Sequence, residues 1–134
     1  ISDFGGVVNS MPMFASFFML FAMANAGLPG TSGFVGEFMV IVGSIKAGFW
    51  VTFWASTTLV LGAAYTLWMY KRVIFGPVTN EKVAQLKDLS GFELSAYVLL
   101  ALMVIAMGVY PKPVLDYVHQ SVSHTLSLSG KAKL

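Results

Sequence analysis

The chain has 134 residues, 57% of them hydrophobic and only 10% charged, with a net charge of +2. A soluble domain carries about 25% charged residues, so this balance excludes an ordinary soluble fold. The small, loop-confined positive charge excludes a nucleic-acid-binding surface. The lack of cysteine excludes a disulfide scaffold, a thiolate metal site and a redox pair.

Residues 1–11 read as a loop. The start at Ile1 rather than Met, with no basic segment leading into a short apolar run, is what a C-terminal fragment of a longer protein would show, with no signal peptide to discount. The first apolar block runs from about Pro12 to Gly27, with Pro12 suited to a first helical turn. The second runs from about Gly33 to Ser44. Each is only about 20 Å long as a helix, short of a bilayer core of about 30 Å. Between them Gly27-Leu28-Pro29-Gly30-Thr31-Ser32-Gly33 breaks helix by backbone entropy and a missing donor. The pair is either a tight hairpin of two short helices or one membrane span broken at its middle. The broken span over residues 12–46 is preferred, because unwound backbone is tolerated inside membrane proteins where protein or a wetted cavity surrounds it.

The third block, residues 49–75, is about 40 Å long as a helix and suffices for a tilted span. Residues 76–91 read as a loop, residues 92–110 as a last span ending before Pro111 and Pro113, and residues 111–134 as a surface tail. Within the tail Val114, Leu115, Val118, Val122 and Leu126 recur at helical spacing, which predicts a short amphipathic helix over about 113–128, with a frayed end over 130–134. With three crossings, Lys71, Arg72, Lys82 and Lys87 flank one loop and mark that side as cytoplasmic, against Lys46, Lys112, Lys131 and Lys133 on the other. The expected fold is therefore an all-α integral membrane protein with three spans, the first broken, and a short amphipathic C-terminal helix. Phe49, Trp50, Trp54, Trp68, Tyr70 and Tyr110, near the block ends, fit interfacial belts.

Glu37 is the sharpest chemical signal. It stands among Phe34, Val35, Phe38, Met39 and Val40 with no opposite charge nearby in sequence. A carboxylate at membrane depth costs several kcal/mol and usually handles ions or protons. A structural ion pair with a cation on an absent helix is the plainer alternative, and the two overlap. Burial opposes its charged form, whereas the positive end of a half-helix starting near Thr31 or Ser32 favours it. Gly27, Gly30, Gly33 and Gly36 recur every three residues, which permits close backbone approach on one face. Those glycines, with Pro29, Thr31 and Ser32, shape the site without reacting. Asn25, Thr31 and Ser32 are expected to satisfy freed backbone groups. Tyr65 is the second relay candidate. Ser56, Thr57, Thr58 and Thr66 are expected to bond their own helix, and Lys71 and Arg72 to anchor it by snorkelling. His119 and His124, five residues apart, do not have the spacing of a metal pair on one helix face.

At Leu28-Pro29-Gly30-Thr31-Ser32-Gly33-Phe34-Val35-Gly36-Glu37-Phe38 the sequence resembles the M-type antiporter-like membrane subunit of bacterial proton-pumping NADH:quinone oxidoreductase (complex I). Ser2-Asp3-Phe4-Gly5-Gly6, Tyr65, Lys71-Arg72, Phe75-Gly76 and Gly108-Val109-Tyr110-Pro111 extend the likeness over nearly the whole chain. The resemblance implies the last three membrane helices of that subunit, with the broken block as its discontinuous helix. Glu37 would then be the terminal ionisable group of a proton channel. Related L- and N-type subunits and cation/proton antiporters typically carry lysine there. The family's other key carboxylate and lysines lie on helices absent from this chain. It implies no cofactor in this chain, since NADH, FMN, the iron–sulfur clusters and quinone belong to other subunits. It also implies a multi-pass location in the bacterial inner membrane. The partners would be the remaining helices of the parent subunit, neighbouring antiporter-like subunits and the lipid bilayer, with no nucleic acid. A subunit of a multisubunit Na+/H+ antiporter is the alternative from a second class, and a purely structural scaffold from a third.

Overall fold

The computed structural model describes residues 4–78 and 80–131, without the side chains of 129–131. Ile1, Ser2, Asp3 and Lys133, used above, lie outside these residues, as does the expected frayed end from residue 132 onward. Every regular element among them is helical: α1 Val7–Ser10, α2 Pro12–Asn25, α3 Ser32–Ser44, a 3-10 turn Ile45–Ala47, α4 Phe49–Ile74, α5 Glu81–Ala84, α6 Gly91–Val109 and α7 Lys112–Lys131. The loops read over 1–11 and 76–91 therefore each contain a helical turn. Four residues are too few to show a helical period, and both turns are held by packing, since Val7 and Val83 are buried. The tail helix is longer than the short one expected, at 20 residues.

Local chemistry sets the helix ends. Pro12 occupies the first turn of α2, where its missing N–H costs nothing. The next two amides, of Met13 and Phe14, donate to the Asp88 carboxylate at 2.7 and 3.0 Å from the far side of the chain. Asp88 is thus an N-cap supplied by the loop before α6. Burial opposes its charge, but the amides of Met13, Phe14 and Leu89 outweigh that and hold its carboxyl below the usual range. A lowered folded-state value gives stability that is present above the ordinary Asp range and lost as pH falls through the lowered one. Asp88→Ala is accordingly expected to lower the melting temperature of the intact parent protein at neutral pH. The gap from wild type should close below about pH 4; a gap constant with pH would disprove the carboxylate's role.

The side-by-side order of the helices follows from their polar and aromatic contacts. Along α4, Thr52 meets Ser44 at 3.2 Å, Thr66 accepts from Asn25 at 3.2 Å, and Tyr70 Oη donates to the Ala15 carbonyl at 3.2 Å. The start of α4 therefore lies beside the end of α3, and its end beside the start of α2. The two short helices follow one another along a single long antiparallel partner; a hairpin would have returned Ser44 to the level of Ala15. α6 runs in the direction of α2 and α3. Its Tyr97 ring packs among Phe14, Phe17 and Phe21, while Gly108 abuts Gly30 and Thr31.

The buried core sits at one end, where Val7, Ala15, Ala22, Tyr70, Ile74 and Val83 cluster and Phe18 stacks on Tyr70. Removing the Tyr70 hydroxyl (Tyr70→Phe) should cost about 1 kcal/mol by thermal denaturation, because it deletes one buried hydrogen bond while the ring still packs. Elsewhere large side chains face outward: α6 buries only Ala101. α6 is also the one helix among the described residues long and apolar enough by itself to cross a membrane. Soluble monomers rarely expose apolar surface on this scale.

Candidate functional site

The break between α2 and α3 is two fused turns. α2 ends in a Schellman motif, in which the Leu28 amide donates to the Met23 carbonyl at 3.0 Å and the Gly27 amide to the Ala24 carbonyl at 3.3 Å. Gly27 takes the left-handed φ of 77° that this motif demands. A β-turn follows, with Pro29 second, Gly30 third at φ 91°, and the Thr31 amide closing onto the Leu28 carbonyl at 3.1 Å. Proline then positive-φ glycine is the type II arrangement. The Thr31 hydroxyl donates to the same carbonyl rather than capping α3. Thr31 thus satisfies a carbonyl freed by the break, and Asn25 reaches across to Thr66.

α3 starts at Ser32 and carries Glu37 in its second turn. Side chains on a helix lean toward its N-terminus, so Glu37 reaches back over the break. A methyl placed on Gly27 would sit 2.9 Å from Glu37 Oε2 and 3.1 Å from Leu59 Cδ2. The carboxylate is half-buried and borders an open cleft of about 550 Å³ lined by Ser32, Gly33, Gly36, Val40, Ala55 and Thr58, among others. No lining residue is basic.

Of the glycines read as one face, Gly33 packs onto the Ala24 carbonyl and Gly36 opens on free space. Tyr65 lies apart from Glu37. It is 60% exposed, in a groove with Trp68, Met69 and Arg72. His119 and His124 are both exposed on α7. Among the described residues, no three His, Cys, Asp or Glu side chains gather as metal ligands would. Sequence reasoning gave Gly108 no part in the break, which it touches from α6, and missed Ala55, which lines the cleft from α4. Neither carries a polar atom to draw notice.

Residues 1–62 match the family described as NADH:quinone oxidoreductase/Mrp antiporter, transmembrane. The chain is 44% identical over 124 residues to NADH-quinone oxidoreductase subunit M of Rhodobacter capsulatus, covering 92% of this chain and 24% of that protein. It is 42% identical over 121 residues to NADH-ubiquinone oxidoreductase chain 4 of Arabidopsis thaliana, covering 90% of this chain and 24% of that protein. Among solved structures, respiratory complex I from Thermus thermophilus with bound NADH contains a similar chain. There the TM-score is 0.78 and the identity 31%, over 90% of this chain and 25% of that one. The chain thus spans about a quarter of the length of these relatives.

Proposed function

We propose that the chain, whose residues 1–62 match the NADH:quinone oxidoreductase/Mrp antiporter transmembrane family, forms the outlet part of a proton channel in the membrane arm of a respiratory complex I. Glu37 is the terminal relay group. The observation that carries the reading is the half-buried Glu37 carboxylate, folded back over Gly27 beside an open cleft with no basic wall. A group so placed costs several kcal/mol in a bilayer, a cost without purpose in a passive span.

In this reading α2 and α3 make one broken crossing, α4 a second and α6 a third, with α7 on the surface. The end bearing Lys71, Arg72, Lys82 and Lys87 is the cytoplasmic side of a bacterial inner membrane. Helices of the parent subunit and neighbouring antiporter-like subunits complete the cleft. NADH, FMN, iron–sulfur clusters and quinone act in other subunits. A proton reaches Glu37 from the parent's interior, neutralises it, and leaves past the unwound backbone, where freed polar groups and Thr58 can order water. The relatives' names favour this over a multisubunit Na+/H+ antiporter. Proton translocation by Glu37→Gln in the intact parent complex tests it: full pumping by a normally assembled variant would end the proposal.

A further inference from the structure

One face of α4 is unused by the rest of the chain. Trp50, Trp54, Thr57, Leu61, Tyr65, Trp68 and Arg72 recur at steps of three and four, so they share one stripe. Trp50, Trp54, Leu61, Tyr65 and Trp68 are all 60% exposed or more. The stripe lies opposite the face that buries Thr66, Tyr70 and Ile74.

Its chemistry is graded along the helix. Trp50 and Trp54 form one end, beside Lys46 of the preceding turn, and their neighbours Phe49 and Phe53 pack with them at ring separations of 5.3–6.2 Å. Leu61 is aliphatic at the middle. Tyr65 and Trp68 form the other end, with the Arg72 guanidinium 4.7 Å above the Trp68 ring. The two tryptophan levels, Trp50 and Trp68, stand roughly 27 Å apart along the axis, close to the hydrocarbon thickness of about 30 Å. Amphipathic aromatic rings settle at the two headgroup levels, and a cation at each end complements lipid phosphate. Thr57, the polar point between them, donates its hydroxyl to its own helix at the Trp54 carbonyl, 2.7 Å away, so it presents no unmet group to hydrocarbon. The stripe is also bulky, whereas the close contacts inside this chain are made by Gly33, Ala24 and Gly108, the small residues that helix–helix contact in membranes uses.

We propose that this stripe faces phospholipid rather than other helices of the parent. Acyl chains lie along Leu61, and an anionic headgroup phosphate sits at Arg72 in the groove of about 240 Å³ it shares with Tyr65, Trp68 and Met69. The proposal rests on the membrane placement of the chain and not on the role of Glu37, so pumping by Glu37→Gln leaves it untouched.

The test is photo-crosslinking in the intact parent complex in native membranes, with benzoylphenylalanine at position 61. Adducts of phospholipid mass are expected there, and crosslinks to polypeptide at position 59, whose leucine faces Gly27. A crosslink from position 61 to another helix would overturn the proposal. If the bulky residue blocks assembly, the near-isosteric photo-leucine at position 61 decides: phospholipid adducts support a lipid-facing stripe and crosslinks to another helix overturn it. Arg72→Gln should lower the phospholipid phosphorus retained per complex after detergent exchange; unchanged phosphorus would overturn the headgroup site.

Discussion

Glu37→Gln in the intact parent complex is expected to assemble normally and to lose proton translocation by at least about tenfold. That is a conservative floor, below the ~10²–10⁴-fold that a positioned proton-transfer group contributes. Glutamine keeps the shape that folds back over Gly27 and fills the same edge of the cleft, so packing is unchanged. What it lacks is a proton it can take up and release. Glu37→Asp separates two explanations that Gln alone would merge. The shorter side chain still carries a proton but cannot reach as far over the break, so partial pumping is expected from a relay that needs both chemistry and reach. Glu37→Ala losing assembly, together with full pumping by Glu37→Gln, would instead make the carboxylate a structural element. Pumping is read as proton uptake per NADH oxidised, which distinguishes a blocked channel from slow electron transfer elsewhere in the complex.

Much of this arrangement is visible in the residues, and the failures have physical reasons. α2, α3, α4 and α6 occupy the four apolar blocks, because long uncharged runs leave little choice but a buried or lipid-facing helix. The interruption at residues 27–33 is legible from Gly27, Pro29 and Gly30. The even spacing of the glycines misled. It suggested close backbone approach on one face, whereas Gly27 closes a Schellman cap, Gly30 turns the chain, Gly33 receives the Ala24 carbonyl and Gly36 meets nothing. Three separate demands and one open position share a period by coincidence. Asp88 could not be found, since its partners Met13 and Phe14 lie 75 and 74 residues away and no local pattern spans that distance. Tyr65 was singled out for polarity within an apolar block, but polarity does not say which side of a helix a residue occupies. Its position is fixed by α4 turning Thr66 and Tyr70 inward, which sends Tyr65 out.

The largest structural effect is expected where backbone meets backbone. A methyl on Gly108 would run into the carbonyl of Gly30 and the Cα of Thr31, and a methyl on Gly33 into the Ala24 carbonyl. In neither case does the obstacle belong to a side chain that could rotate away. α6 is a rigid rod, so moving it off the break to admit Gly108→Ala also loosens Tyr97 among the α2 phenylalanines and Asp88 on the α2 amides. Gly33→Ala displaces α3 from the Schellman cap, because the Ala24 carbonyl is already engaged by the Gly27 amide. Overpacking of this kind costs about 1–3 kcal/mol, and the lack of any soft neighbour puts both variants at the upper end. Gly43→Ala is the contrast. Its methyl would enter open space within α3, where alanine is favoured over glycine by up to about 1 kcal/mol. Thermal melting of the assembled parent complex should therefore fall for Gly33→Ala and Gly108→Ala and hold or rise for Gly43→Ala. Equal melting of all three would mean that the two half-helices and α6 do not clamp the break. The position of Glu37 would then need another support.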